Sequence, residues 1–208
     1  MKSPRKRVIY DDLNLDVFND VYEPAEDTFL IADILDEAVK DGDTVLEIGT
    51  GCGILAILAA KKARKVTATD ANPHAVECAR LNADANNASS KIDVRRGDLF
   101  QPVQAKETFD LIIFNAPYLP SAPKEHKTWV GRAWAGGPTG RRLIDQFIAE
   151  APRHLKRGGQ ILLVQSSLAD IDKTLKRFHA AKLEAKVIAE EKVSFENLVV
   201  IQASNLSR

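Results

Sequence analysis

Seven residues between positions 47 and 53 combine one carboxylate with three glycines, in the order Glu47-Ile-Gly-Thr-Gly-Cys-Gly53. Glycines here allow the backbone to turn sharply and let a ligand approach the main chain. The third glycine, Gly53, comes one position earlier than in the dinucleotide-binding pattern G-x-G-x-x-G. A pyrophosphate favours bare backbone N–H groups, whereas an acid beside the loop suits a cationic ligand. The loop, with Glu47 ahead of Gly49 and Gly51, is therefore a candidate ligand-binding loop that departs from the dinucleotide pattern.

Two further acids follow later apolar runs. Asp70 ends one such run, 19 residues after Gly51, where a carboxylate can accept both ribose hydroxyls of an adenosine. Asp98 follows another run, where it can accept from an adenine amino group, and the backbone N–H of Leu99 can serve a ring nitrogen. Each acid alone could be an ordinary loop residue. Three such elements at the C-terminal ends of three successive strands predict an adenosine site.

The segment Asn115-Ala-Pro-Tyr118 follows a strongly apolar run and resembles the N-P-P-Y motif of enzymes that methylate planar nitrogens. An amide or exocyclic amino nitrogen attacks poorly, because its lone pair is delocalised into a π system. The side-chain oxygen of Asn115 can accept one N–H of such a group, and the backbone carbonyl of Ala116 can accept the other. Tyr118 can pack against the planar group, while Pro117 favours an extended backbone at Ala116. In a methyl transfer to such a nitrogen, positioning of the reacting groups contributes much of the rate.

Short apolar runs alternate with longer amphipathic stretches, which predicts βαβ units and a parallel sheet covered on both faces. The predicted strands are Thr44–Ile48, Lys65–Asp70, Ile92–Val94, Phe109–Asn115, Gln160–Gln165, Leu183–Ala189 and Asn197–Ala203. The predicted helices are Pro24–Val39, Ile54–Ala63, Asn72–Ala85, Leu143–Leu155 and Leu168–Ala181. Gly158 and Gly159 are predicted to end the fourth helix. Residues 116–141 are predicted to form one long irregular segment, in which Trp129 and Trp134 are candidates for a lid.

The composition is that of a neutral globular protein. The 208 residues include 29 Lys and Arg and 29 Asp and Glu, which disfavours bulk binding to duplex nucleic acid. The two cysteines exclude a disulfide framework and favour the cytoplasm, and the four histidines show no metal-ligand spacing. No uncharged stretch reaches the roughly 20 residues that cross a bilayer. We expect one domain over residues 21–208, preceded by an extension over residues 1–20.

Several motifs together resemble a known family. The loop Glu47–Gly53 resembles that of class I S-adenosylmethionine-dependent methyltransferases, and Asn115–Tyr118 resembles the N-P-P-Y motif of enzymes that methylate planar nitrogens. The chain departs from that motif at Ala116, where the backbone carbonyl is nevertheless kept. Val21-Tyr-Glu-Pro-Ala-Glu-Asp-Thr28, Trp134-Ala-Gly-Gly137 and Gly140-Arg-Arg-Leu-Ile-Asp145 add a resemblance to HemK-type glutamine methyltransferases of peptide release factors, in their short archaeal and eukaryotic branch.

The resemblance implies a Rossmann-like α/β fold, with a mostly parallel seven-stranded sheet, helices on both faces and an antiparallel strand near the C-terminus. It implies S-adenosyl-L-methionine as cofactor and the side-chain amide of a release-factor glutamine as acceptor. The implied cofactor-binding residues are Thr28, Glu47, Gly49, Gly51, Gly53, Asp70, Asp98, Leu99 and Asn115. The implied substrate-binding residues are Asn115, Ala116, Pro117 and Tyr118, of which Asn115, Pro117 and Tyr118 form the catalytic set.

The same resemblance implies a heterodimer with a small zinc-binding activator protein that adds strands to an exposed sheet edge. Lys91–Arg96 is the candidate edge. The N-terminal region is also rich in apolar residues, namely Val8, Ile9, Leu13, Leu15, Val17 and Phe18. Together these features predict a chain that is poorly soluble or weakly active alone. No membrane partner is expected, and the neutral charge disfavours a nucleic-acid partner.

Other activities fit parts of the pattern. An N6-adenine methyltransferase acting on DNA or RNA shares the Asn-x-Pro-Tyr chemistry, but the neutral charge and the lack of a separate base-reading domain weigh against it. Methylation of protein lysines remains open. A noncatalytic nucleotide-binding subunit is disfavoured because Asn115 and Tyr118 are intact.

Overall fold

A seven-stranded sheet forms the centre of the molecule, and the computed structural model describes residues 5–205. The strands within these residues are β1 (Arg5–Tyr10), β2 (Leu13–Phe18), β3 (Thr44–Ile48), β4 (Lys65–Asp70), β5 (Ile92–Arg96), β6 (Phe109–Asn115), β7 (Leu155–Ser166), β8 (Glu184–Val193) and β9 (Glu196–Ser204). The large sheet has the order β5-β4-β3-β6-β7-β9-β8. Strands β3 to β7 pair in parallel, whereas β9 runs antiparallel to both β7 and β8.

The central strands are covered on both faces. Consecutive residues Val45, Leu46, Glu47 and Ile48 of β3 are all buried. Neighbouring residues of a strand point to opposite faces, so such a run requires packing on each side. The helices are α1 (Glu26–Ala38), α2 (Ile54–Ala60), α3 (Pro73–Ala85), α4 (Trp129–Trp134), α5 (Arg142–Glu150) and α6 (Ile171–Ala180), with short 3-10 turns at Pro123–Lys127, Ala151–His154 and Ser167–Ala169.

The predicted end of the fourth helix is wrong. Helix α5 stops at Glu150, and a 3-10 turn containing Pro152 follows, since proline disfavours continuation of the α-helix. Gly158 and Gly159 lie inside β7 instead. There the pairing of β6 with β7 changes register, and Gly158 adopts φ +75°, a left-handed conformation that suits a bulge.

Two other predicted segments differ from the structure in their helical content. The stretch predicted as one helix over Leu168–Ala181 is interrupted at Asp170, which adopts φ 59° and caps α6 by accepting the backbone N–H of Lys173 at 3.0 Å. The long irregular segment contains α4, which Thr128 caps by accepting the N–H of Gly131 at 3.0 Å. Capping side chains accept backbone N–H groups that have no partner within the helix, and so determine where these helices begin.

The N-terminal strands β1 and β2 form a hairpin that packs on α3. Asn82 of α3 accepts the N–H of Asp16 and donates to its carbonyl, each at 2.9 Å. Four of the apolar residues of the N-terminal region, Leu13, Leu15, Val17 and Phe18, are buried in the common core. Ile9 remains 69% exposed. The domain boundary at residue 20 stays a prediction.

The candidate edge is confirmed as an edge, because β5 is the outermost strand of the large sheet and, among residues 5–205, pairs with β4 alone. The guanidinium of Arg80 covers part of it by donating to the carbonyl of Val94 at 2.6 Å. Within residues 5–205, no helix is both long and apolar enough to cross a membrane.

Candidate functional site

A cavity of about 960 Å³ opens at the carboxyl ends of β3, β4, β5 and β6. Ligands bind at this edge in open α/β sheets, because the loops after the strands meet there. Eleven of the twelve predicted site residues line it: Thr28, Glu47, Gly49, Gly51, Asp70, Asp98, Leu99, Asn115, Ala116, Pro117 and Tyr118. Segments distant in sequence therefore meet around one space.

The glycine loop is built from left-handed backbone. Gly49, Gly51 and Gly53 have φ values of 69°, 57° and 90°. Residues with a side chain rarely adopt these φ values, so the loop requires glycine at the three positions. Gly53 does not line the cavity; a Cβ there would come within 3.1 Å of Ala79 in α3. Its glycine serves the close packing of α2 on α3, and the predicted cofactor contact of Gly53 lacks support from its position.

Glu47 lies beneath the loop as a buried carboxyl group. Its Oε2 accepts the hydroxyl of Thr50 at 2.6 Å. Burial raises the pKa of Glu47 to about 8, and the nearby charge of Asp70 adds to the increase, while the bond from Thr50 opposes it. Burial penalises the charged form. A cation in the cavity would favour the ionised form, so this group can respond to a positively charged ligand.

Asp70 joins the glycine loop to the start of α3. Its Oδ2 accepts the N–H of Gly51 at 2.9 Å, and its Oδ1 accepts the N–H of Asn72 at 2.8 Å. Burial raises the pKa of this carboxyl above its usual range, although both backbone bonds favour the charged form. Each carboxylate oxygen can accept more than one bond. Asp70 can therefore hold the loop and still accept hydroxyl groups of a ligand.

Asp98 and Leu99 form the rim of the cavity beyond β5. Asp98 is exposed, and Leu99 adopts φ 45°. The carbonyl of Leu99 accepts the hydroxyl of Thr69 at 3.3 Å, which ties this turn to the end of β4. The position agrees with the predicted place of an adenine-binding turn, whereas the individual contacts stay predictions.

The end of β6 presents a buried acceptor. Asn115 donates from Nδ2 to Thr28 Oγ1 at 3.2 Å, while its Oδ1 is buried and has no hydrogen-bond partner among the described residues. A buried polar atom without a partner costs about 1–3 kcal/mol. Ala116 and Pro117 are buried beside it. Asn115 lines the cavity, so its unpartnered oxygen is a candidate acceptor for a ligand N–H.

A tyrosine–carboxylate cluster next to Asn115 was missed in the sequence analysis. Tyr118 donates to Asp27 Oδ2 at 3.2 Å, and Tyr22 donates to Asp27 Oδ1 at 3.2 Å. Burial raises the pKa of both phenols, and the charge of Asp27 adds to this, so both remain donors. The sequence carried a signal: Asp27 shares the buried face of α1 with Ile31 and Leu35, at intervals of four residues.

Helix α4 lies over the acceptor end of the cavity. Trp129 and Trp134 both line the space, as does Arg132, whose guanidinium lies 4.7 Å from the centre of the Trp129 ring. This arrangement agrees with a lid or a wall for a polypeptide. Among residues 5–205, no group of three or more histidine, cysteine or acidic side chains could hold a metal ion.

The comparisons with known proteins agree with this geometry. Residues 26–192 match the family model described as the methyltransferase small domain, and the chain belongs to this family. It is 41% identical over 196 residues to a putative protein N5-glutamine methyltransferase of Methanocaldococcus jannaschii, with 93% of this chain and 96% of the relative covered. It is 32% identical over 195 residues to methyltransferase HEMK2 of Homo sapiens, with 89% and 90% covered.

A solved structure shares the fold. It is the E. cuniculi Mtq2–Trm112 complex, described as responsible for methylation of the eRF1 translation termination factor. The TM-score is 0.72 at 24% sequence identity, and the match covers 90% of this chain and 99% of that chain. The predicted Rossmann-like α/β class, with an antiparallel strand near the C-terminus, is confirmed, and that strand is β9.

Proposed function

We propose that this protein uses S-adenosyl-L-methionine to methylate the side-chain amide of a glutamine in a peptide release factor. The observation that carries the proposal is the buried, unpartnered Oδ1 of Asn115, a residue that lines the same cavity as the glycine loop. A neutral amide has N–H groups to offer such an acceptor. A protonated lysine would also donate, but the planar-nitrogen motif at Asn115–Tyr118 favours the amide.

The residues of the cavity fit the cofactor. S-adenosyl-L-methionine, when bound, supplies a methyl group made electrophilic by a sulfonium. The glycine loop leaves room for close approach at Gly49 and Gly51, since Cβ-free backbone faces the cavity there. Glu47 places a carboxyl group below the loop, and Asp70 keeps free acceptor capacity for hydroxyl groups. The donor set thus suits a cationic adenosine derivative.

The acceptor residues position the amide. Asn115 Oδ1 accepts one N–H of the glutamine, and the carbonyl of Ala116 accepts the other. Two acceptors stabilise the nitrogen as its lone pair leaves conjugation, and fixed acceptors cost no reorganisation during the reaction. The ring of Tyr118, whose hydroxyl donates to Asp27, packs against the planar group. No strong general base is needed before methyl transfer.

The choice of a release factor rests on relatives. The E. cuniculi Mtq2–Trm112 complex is described as responsible for the methylation of eRF1, and the Methanocaldococcus jannaschii relative is named as a putative protein N5-glutamine methyltransferase. A translation factor as substrate implies a cytoplasmic place of action. The Trm112 partner in the E. cuniculi complex supports a small activator protein here as well. The exposed edge of β5 is the proposed contact, and bound zinc in that activator is part of the proposal.

A labelled-methyl assay tests the proposal. The purified chain, with and without the activator, receives labelled S-adenosyl-L-methionine and one acceptor: release factor, the same factor with its target glutamine replaced by alanine, DNA or RNA. We expect label only in the unaltered release factor. Label confined to nucleic acid would assign the adenine alternative, and label that survives the glutamine replacement would point to another protein residue. Full activity and solubility without the activator would refute the proposed partner.

A further inference from the structure

The carboxyl group of Asp27 collects hydrogen bonds from several directions. Its Oδ1 accepts the backbone N–H of Thr28 at 2.7 Å and the Thr28 hydroxyl at 3.2 Å. The phenols of Tyr22 and Tyr118 each approach the same group to 3.2 Å. Asp27 is only 5% exposed, so these protein donors replace water around it. Asp27 thus acts as an acceptor toward Thr28.

The Thr28 hydroxyl has a single proton, and this determines what it can offer to its other neighbour. When that proton points to Asp27, only lone pairs remain on Oγ1. The terminal atom of Asn115 that lies 3.2 Å from Oγ1 must therefore be a donor, which is the amide nitrogen. The reverse orientation of the amide would set its oxygen against those lone pairs with no proton between them.

We propose that Asp27, acting through the hydroxyl of Thr28, is a positioning residue that holds the Asn115 amide with its nitrogen toward Thr28 and so keeps its oxygen unpaired and available to a ligand N–H. An asparagine amide is nearly symmetric in shape, so packing alone barely distinguishes its two orientations. Only the orientation described here presents an acceptor to the glutamine N–H. The inference rests on the proposed function of Asn115 and adds the device that keeps its oxygen available.

Neutron diffraction of the perdeuterated protein reads the amide directly. We expect deuterons on the Asn115 atom facing Thr28, and one deuteron on the Thr28 hydroxyl directed at Asp27. An amide oxygen facing Thr28 would overturn the inference, whatever the activity of the enzyme. If Asn115→Ala retained full activity, the proposed function of Asn115 would fail, while the diffraction result would still decide the orientation.

Kinetics supply a second, independent measurement. Thr28→Val keeps the shape of the side chain and removes the hydroxyl, so both amide orientations become populated. We expect kcat at saturating cofactor to fall about 2- to 10-fold, in proportion to the lost competent fraction. Thr28→Ser restores the hydroxyl and most of kcat. Thr44→Val is the matched control, because it removes a similar bond to Asp110, of 2.8 Å, at the opposite end of the sheet.

The two residues are then combined in a double-mutant cycle. If Thr28 acts on kcat through the orientation of Asn115, Thr28→Val has no further effect on single-turnover rates in the Asn115→Ala background. An undiminished effect in that background, or an unchanged kcat in Thr28→Val itself, would refute the relay. If Thr28 acts through a direct contact with the cofactor, Thr28→Val instead lowers cofactor affinity equally in both backgrounds.

Discussion

Replacing Glu47 with glutamine tests the electrostatics beneath the glycine loop. Burial raises the pKa of this carboxyl from 4.5 to about 8. Between these pH values the folded protein holds a proton that the unfolded chain has lost. Folding stability is therefore fully present below about pH 4.5 and declines as the pH rises toward 8, because the unfolded state binds fewer protons.

The size of the effect follows from the two pKa values. One pH unit across the window changes stability by about 1.36 kcal/mol. The difference between 4.5 and about 8 corresponds to a loss on the order of 5 kcal/mol by pH 9. Glutamine has no such proton to lose. The advantage of Glu47→Gln over the wild type should therefore grow by about 3 kcal/mol between pH 4.5 and pH 7, and should level off above pH 8.

Urea unfolding of both proteins at several pH values measures this difference. Any loss of the Thr50 bond gives an offset that is the same at every pH, and so does not affect the slope. Glu37→Gln, at an exposed position of α1, is the matched control and should track the wild type. Stability curves for Glu47→Gln and wild type that stay parallel within about 1 kcal/mol would refute the reasoning.

Four other predictions follow from the site and its supports. Because Glu47 must ionise to meet a cation, wild-type affinity for S-adenosyl-L-methionine should rise up to about tenfold per pH unit between pH 6 and 8; calorimetry showing a flat profile would contradict this. Asn115→Ala should lower kcat by about 100-fold or more while keeping most cofactor affinity, and a collapse of binding with normal turnover per bound cofactor would argue against its role. Asp70→Ala should weaken cofactor binding first, which calorimetry would disprove if the affinity were unchanged. The hydrogen-bonded guanidinium of Arg95 lowers the pKa of Glu107 to about 2. This pair therefore stabilises the fold above about pH 4.5 and loses its effect as the pH falls toward 2. Glu107→Gln should reduce the loss of folding stability between these pH values by about 1 kcal/mol, and an unaltered acid transition would count against the pair.

Elements with strong local patterns were predictable. The strands Thr44–Ile48, Lys65–Asp70 and Phe109–Asn115 were predicted with the bounds that the structure has, because central parallel strands are continuous apolar runs. The helix boundary near Gly158 was not, because glycine suits a helix end and a bulge equally well. Which one forms depends on the partner strand β6, far away along the chain.

The N-terminal hairpin shows the same limit of local sequence patterns. Its alternating apolar residues indicate one buried face, but the pattern does not say what covers it. The structure pairs it as a hairpin and covers it with α3, where Asn82 bonds to the backbone of Asp16. A free apolar surface and a packed hairpin have the same local sequence, so only the tertiary contact distinguishes them.

Sequence patterns are enough to predict which segments meet at the site, because the carboxyl ends of parallel strands share one edge of the sheet. They also predict the glycine loop, whose left-handed conformations exclude most other residues. Which atoms pair within that site depends on how the folded chain packs. Thr28 and Asn115 are 87 residues apart, and their hydrogen bond depends on how α1 packs against the end of β6. Hydrogen bonds require positions accurate to a few tenths of an ångström, and no local pattern specifies distances across the fold.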